Sequence, residues 1–250
     1  MRTARCPPCL AVAALAVAAG MARALPPSEV YDKAAPSVWR VVTYDADGVP
    51  LGMGSGVVIA PDTLVTNCHV LAKARRVAVK HDRASIDARL ELWDPQRDVC
   101  QIRAPNLNAP AVALGSAEQL KVGQNVYAIG NPQGLDLTMS AGLLSSIRRN
   151  ERGQIRLLQT SAAISRGSSG GGLFDEDGVL IGLTTIGSVS SEAQNLNFAI
   201  PVDWVRELPE RHARLLAAQA GGAASAAPAA PRPDALPLPT RPAAASAPGP

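Results

Sequence analysis

Apolar residues in this chain fall in short runs separated by turn-forming Gly, Pro, Asn and Asp, rather than recurring every three or four residues. Runs of that kind are the mark of β-strands, where successive side chains point to opposite faces. A first set covers residues 38–42, 56–59, 64–66, 77–79, 86–92 and 112–114. Alternation is plainest in Ile86-Asp87-Ala88-Arg89-Leu90-Glu91-Leu92, which reads as one half-buried strand. A second set covers residues 125–129, 142–147, 155–159, 172–174 and 179–185, with Asp175-Glu176-Asp177-Gly178 as a hairpin turn between its last two members. Helical character enters only near the end. Residues 203–208 suit a short helix that Pro209 is expected to stop, and a second helical stretch is expected over 210–219. The pattern predicts an all-β domain.

The two ends differ from this middle. Arg2 and Arg5, an apolar stretch over 10–21 and the small-x-small triplet Ala22-Arg23-Ala24 read as a secretory signal over 1–24. The stretch is too short for a comfortable transmembrane span, so no stable membrane span is expected after cleavage. Cleavage would also remove Cys6 and Cys9, which takes their Cys-x-x-Cys spacing out of the functional argument. At the other end, 213–250 is expected to be a disordered tail rich in Ala and Pro, which bury too little surface to offset chain entropy. The folded domain is therefore placed at 25–212. Its net charge contribution is unremarkable: the whole chain carries +3, with scattered basic pairs such as Arg75-Arg76, and this excludes an electrostatic case for nucleic acid.

Three segments carry candidate chemistry. In Ser165-Arg166-Gly167-Ser168-Ser169-Gly170-Gly171-Gly172 a serine flanked by glycines can sit on a tight turn, with its hydroxyl and neighbouring N–H groups aimed at one point. Thr66-Asn67-Cys68-His69-Val70 places a histidine at the end of an apolar run, and Asp94-Pro95-Gln96-Arg97-Asp98 places an aspartate at the head of another. A serine hydroxyl needs an imidazole to take its proton, and the imidazole needs a carboxylate to fix its tautomer. Taken singly, His69 is more simply a satisfied core histidine and Asp98 a turn residue. Taken together, in the chain order His69, Asp98, Ser169, they match a nucleophilic triad.

These segments, with Gly54-Ser55-Gly56-Val57-Val58-Ile59, Val122-Gly123-Gln124, Ala128-Ile129-Gly130-Asn131-Pro132, Gln159-Thr160-Ser161-Ala162-Ala163-Ile164 and Asn197-Phe198-Ala199-Ile200-Pro201, resemble the trypsin-like serine proteases of the bacterial HtrA (Deg) type over roughly residues 36–206. The resemblance implies two six-stranded antiparallel β-barrels, one over about 36–115 and one over about 120–206, with the active site in the cleft between them. It implies catalysis by His69, Asp98 and Ser169, and an oxyanion hole from the N–H groups of Gly167, Ser168 and Ser169. Substrate is expected to pair as a strand along Thr185-Ile186-Gly187, its primary pocket lined near Ala163, Ile164, Ile186 and Leu196. The pocket has no acidic residue at its expected base, so small aliphatic residues such as Val or Ala are expected before the cut. No PDZ module is expected in the Ala/Pro-rich stretch that follows the domain, and no metal or organic cofactor is implied.

Within that resemblance Cys68 and Cys100 neighbour the presumed base and its carboxylate, and a Cys68–Cys100 disulfide in an oxidising compartment is expected, pinning the acid–base pair together. Two buried free thiols are the alternative. A zinc site is disfavoured, because it would consume His69 and lack a fourth ligand. The function implied is that of a periplasmic or secreted serine endopeptidase acting on polypeptides, including unfolded ones. Two other readings stand beside it: a non-catalytic homologue that binds unfolded polypeptide, which commonly has lost a triad member, and an esterase using the same triad. The oligomeric state stays open, since Tyr31 and Trp39 do not by themselves establish the trimer contact found in relatives.

Overall fold

The computed structural model describes residues 24–185 and 196–225. The signal expected over 1–24 therefore lies almost wholly outside the described residues, as does the part of the tail beyond 225.

The described residues form two closed antiparallel barrels of six strands each. The first consists of β1 (Val38–Tyr44), β2 (Pro50–Ala60), β3 (Thr63–Thr66), β4 (Arg76–His81), β5 (Ala84–Asp94) and β6 (Val99–Arg103), in the order β1-β2-β3-β6-β5-β4. The second consists of β7 (Asn125–Gly130), β8 (Thr138–Arg149), β9 (Ile155–Thr160), β10 (Gly172–Phe174), β11 (Leu180–Thr185) and β12 (Asn197–Pro201), in the order β10-β11-β12-β9-β8-β7. Period-two alternation divides the apolar side chains between two destinations. On β7, Val126 and Ala128 enter the interior of the second barrel, while Tyr127 and Ile129 join a cluster shared by both barrels. On β2, Val57 joins that shared cluster and Val58 fills the first barrel beside Leu64 and Ile102. The barrels thus meet through buried apolar contact, and the segments carrying candidate chemistry lie along that seam.

Two local expectations are corrected, and one element was not anticipated. Residues 112–114 are not the last strand of the first barrel, which β6 completes. They lie in the connector, where the Val112 N–H donates to Val58 O and the Leu180 N–H donates to Ala113 O, tying β2 to β11. Their short apolar pattern is real, but it serves a bridge between barrels. Pro209 does not stop the terminal helix: α2 runs unbroken from Asp203 to Ser225, past the boundary expected at 213. Its buried stripe of Trp204, Val205, Leu208 and His212 packs at helical spacing. Burying such side chains contributes about 1.5–3 kcal/mol each, which outweighs the roughly 3 kcal/mol that an interior proline costs. Finally, α1 (Pro27–Ala34) precedes the first barrel. Pro27 opens it where the missing N–H costs nothing, and Val30 and Ala34, four residues apart, bury one face in the shared cluster.

The expected turn over 175–178 forms as a side-chain-braced hairpin. The Asp175 carboxylate accepts from the N–H groups of Asp177 (3.0 Å) and Val179 (2.9 Å).

Candidate active site

The candidate base, His69, and its candidate carboxylate, Asp98, come from the first barrel. Strand β3 pairs with β6 so that Thr66 lies opposite Cys100. This brings the turn after β3, which carries His69, against the turn before β6, which carries Asp98. Asp98 adopts φ +57°, a left-handed conformation that aspartate tolerates better than most residues. That conformation turns its carboxylate back to His69: Oδ2 lies 2.7 Å from His69 Nδ1, and Oδ1 accepts the His69 N–H at 2.9 Å. The Asp98 carbonyl is held too, accepting from the Cys68 N–H (3.3 Å) and from Asn67 Nδ2 (3.0 Å). Cys68 and Cys100 form a disulfide beside them, with Cα atoms 4.9 Å apart. The hydrogen bond to Asp98 raises the His69 pKa above its ordinary value, against the opposing effect of partial burial, with the carboxylate charge adding to the rise.

The nucleophile turn belongs to the second barrel but is clamped by the first. Ser55, from Gly54-Ser55-Gly56 on β2, donates its hydroxyl to Gly167 O (2.8 Å) and accepts the Asn131 N–H (2.9 Å), while its own N–H donates to Ser169 O (2.8 Å). Gly54 permits this approach, because a Cβ there would lie 2.9 Å from Ser169 O and closer still to Val70. Gly167 sits at φ +92°, and a Cβ would lie 2.5 Å from Asn131 O, so the turn requires glycine on both counts. From behind, Thr184 Oγ1 donates to Ser168 O (2.5 Å) and the Gly170 N–H donates to Thr184 O (2.8 Å).

One expected oxyanion donor is not available. The Ser168 N–H donates to Ser165 O at 3.0 Å, closing the turn. The N–H groups of Gly167 and Ser169 have no hydrogen-bond acceptor among the described residues and stay free to donate. Ser169 Oγ itself is buried and makes no hydrogen bond among the described residues. It shares a cleft of about 480 Å³ with His69, so the structure brings Ser169 and His69 to one space without a hydrogen bond between them.

The expected substrate-binding residues are distributed around this turn. Thr185 ends β11, opposite Phe198 on β12, and is largely buried. Ala163 lines a small pocket of about 120 Å³ with Ser165, Ser168 and Thr184, and no carboxylate borders it among the described residues. The Ile164 N–H donates to Asn197 Oδ1 (3.2 Å), and its side chain packs with the core of the second barrel rather than lining that pocket. Leu196 is partly exposed beside β12. Ile186 and Gly187 lie outside the described residues.

With this geometry established, residues 54–183 match the model of the trypsin-like peptidase domain. The chain belongs to the trypsin-like peptidase family. Its relatives are of the HtrA type. A probable periplasmic serine endoprotease DegP-like of Pseudomonas putida is 37% identical over 186 residues, spanning 72% of this chain and 39% of the relative. The chloroplastic protease Do-like 1 of Arabidopsis thaliana is 40% identical over 174 residues, spanning 65% of this chain and 40% of the relative. Among solved structures, the HtrA-type protease AlgW with tripeptide superposes with a TM-score of 0.65 at 35% identity, covering 72% of this chain and 61% of that one. The serine endoprotease from Yersinia pestis superposes with a TM-score of 0.66 at 28% identity, covering 75% of this chain and 66% of that one. The chain thus spans about two fifths of the length of the curated relatives it matches.

In this trypsin-like peptidase the positioning residues Asn67, Ser55 and Thr184 escaped the sequence reading. For Ser55 the signal was present in Gly54-Ser55-Gly56, two glycines around a small polar residue inside an apolar strand, which marks a close backbone approach. Its partner is 112 positions away, and local pattern does not reveal such a pairing. No group of three or more His, Cys, Asp or Glu side chains able to hold a metal occurs among the described residues.

Proposed function

We propose that this chain is a periplasmic or secreted serine endopeptidase working through a Ser169–His69–Asp98 triad. The observation that carries the reading is the 2.7 Å hydrogen bond from His69 to Asp98 at the edge of the cleft that Ser169 lines. Ser169 Oγ attacks the scissile carbonyl while His69 Nε2 takes the hydroxyl proton, and Asp98 holds the imidazolium that results. The tetrahedral oxyanion is received by the N–H groups of Gly167 and Ser169, each such donor being worth about 3–4 kcal/mol in other serine proteases. His69 then delivers the proton to the leaving amine, and water repeats the sequence on the acyl-enzyme. The small pocket beside Ala163 and Ser168, without a carboxylate among the described residues, supports small aliphatic residues such as Val or Ala before the cut. Names of the relatives given above, which include periplasmic endoproteases, support the location and a polypeptide substrate.

A second reading is favoured by one observation, the absence of a hydrogen bond on Ser169 Oγ among the described residues. On that reading the chain is a resting or non-catalytic homologue that holds unfolded polypeptide. Catalytic hydrogen bonds often tighten only when substrate binds, so the open geometry is compatible with the enzymatic reading. The two separate on treatment of the oxidised chain with a fluorophosphonate probe, alongside Ser169→Ala and unfolded casein. Labelling at Ser169 and casein cleavage, both abolished by the substitution, are expected. A folded protein that binds casein but takes no label would reverse the choice.

A further inference from the structure

The cleft that holds His69 and Ser169 is also lined by Thr43, Leu51 and Met53 of the first barrel and by Arg166 and Gly167 of the second. The Arg166 backbone is fixed: its carbonyl accepts the Gln133 N–H at 2.6 Å, and the next carbonyl along is the one that Ser55 clamps. Its guanidinium is exposed and makes no hydrogen bond or ion pair among the described residues. Arg97, Arg103 and Arg211, by contrast, each face a carboxylate. No carboxylate lines the cleft among the described residues, and nearby Asp98 is committed to His69. Among the described residues the cleft therefore carries one uncompensated cation beside Ser169, borne on a fixed stretch of backbone.

Direction along the substrate follows from the two barrels. On the peptidase reading the acyl half of a substrate lies by β11 and the small pocket at Ala163, Ser165 and Thr184, all on the second barrel. The leaving half then runs away from Ser169 over β2, past Leu51 and Met53, which are about half exposed. An extended chain covers roughly 10 Å in three residues, so these three share the cleft with the Arg166 side chain.

We infer that Arg166 is a specificity-determining residue that selects substrates with Asp or Glu among the first three residues after the scissile bond. The inference rests on the peptidase reading above. Guanidinium and carboxylate meet in a solvent-exposed cleft, so the preference for Glu over Gln at the responsive position is about two- to fivefold in kcat/KM, the reward of an exposed ion pair. It fades as salt rises toward 0.5 M, because such a pair is screened.

The test uses the oxidised full chain and peptides with Val before the cut, each with Glu, Gln or Lys at the first, second or third position after it. Cut sites are verified by mass. The readout is the ratio of kcat/KM for Glu to Gln within one enzyme, which a general loosening of the turn would not move. A ratio of two or more at one position is expected, lost in Arg166→Ala, inverted in Arg166→Glu, retained in Arg166→Lys and reduced by salt. A ratio of one at all three positions, or a ratio unchanged in Arg166→Glu, overturns the inference. Fluorophosphonate labelling of Ser169 separates the two levels of failure. Labelled enzyme with equal rates overturns only the role of Arg166, whereas unlabelled enzyme overturns the peptidase reading and this inference together.

Discussion

Removing the Cys68–Cys100 disulfide tests what that bond is for. It joins residues 32 apart in sequence, and closing a loop of that length removes about 3.5–4 kcal/mol of conformational freedom from the unfolded chain on the chain-entropy model. In a domain of this size that stability corresponds to a melting-temperature change of roughly 7–15 °C. The sequence suggested a second role, pinning His69 to Asp98, but the structure supplies that junction several times over. His69 donates its N–H to one carboxylate oxygen and bonds the other through its ring, Cys68 and Asn67 both hold the Asp98 carbonyl, and Thr66 pairs with Cys100 in the sheet. None of these contacts uses a sulfur atom. The double variant Cys68→Ala/Cys100→Ala is therefore expected to melt 7–15 °C lower and to keep kcat/KM at 25 °C within about threefold of the parent. Circular dichroism melts, with peptidase kinetics well below the transition, read the two effects separately. A fall of more than tenfold in kcat/KM for a fully folded variant would show that the bond positions the catalytic pair. A melting shift under about 3 °C would refute the loop-entropy argument.

Other consequences are equally direct. Because Asp98 raises the His69 pKa, kcat/KM should rise with pH through a midpoint above the ordinary imidazole value of about 6.5; Asp98→Asn should lower that midpoint and cost on the order of 10⁴-fold in rate, and an unmoved midpoint would contradict the pairing. The same raised pKa means that the folded state binds the His69 proton more tightly than the unfolded chain. Its stabilising effect is complete below about 6.5 and is lost as pH rises through the raised value, a trend that His69→Ala should remove from a melting-temperature series. Ser55→Ala leaves the Gly167 carbonyl and the Asn131 N–H without their buried partner, so stability should drop by about 1–3 kcal/mol and fluorophosphonate labelling should slow at least severalfold; unchanged labelling would show that the clamp is dispensable. Pro209→Ala should stabilise the protein by up to about 3 kcal/mol if α2 is continuous, as measured by urea unfolding, whereas destabilisation would mean that the chain needs a break there.

What could be read from the sequence follows a physical division. Strands announced themselves because each barrel has a buried interior and a second face that meets water or the neighbouring barrel, which imposes alternation within a few residues. The candidate catalytic segments were legible for a related reason: the left-handed turns that carry Asp98 and Gly167 need particular residue types, so they leave a local trace. Residues 112–114 misled because a connector that bridges two barrels carries the same short apolar pattern as a strand. Pro209 misled because the signal it gives is local, while the burial that overrides it comes from Trp204, Val205 and Leu208 in the shared cluster and from His212 against Trp93.

The least legible feature is the one on which the site depends. His69 and Asp98 lie on the first barrel and Ser169 on the second, so no local pattern can set the separation between His69 and Ser169. Three hydrogen bonds of Ser55, to Gly167, Asn131 and Ser169, set the register of the nucleophile turn against β2. The His69–Asp98 pair is built wholly within one barrel and needs none of them. Disturbing the seam between the barrels should therefore displace Ser169 while leaving the His69 pKa where Asp98 holds it. That ordering is the reason to expect Ser55→Ala to slow labelling without moving the acidic limb of the pH profile. A shifted limb in that variant would mean that the two arms are not independent, and that the pair is assembled only when the nucleophile turn is in place.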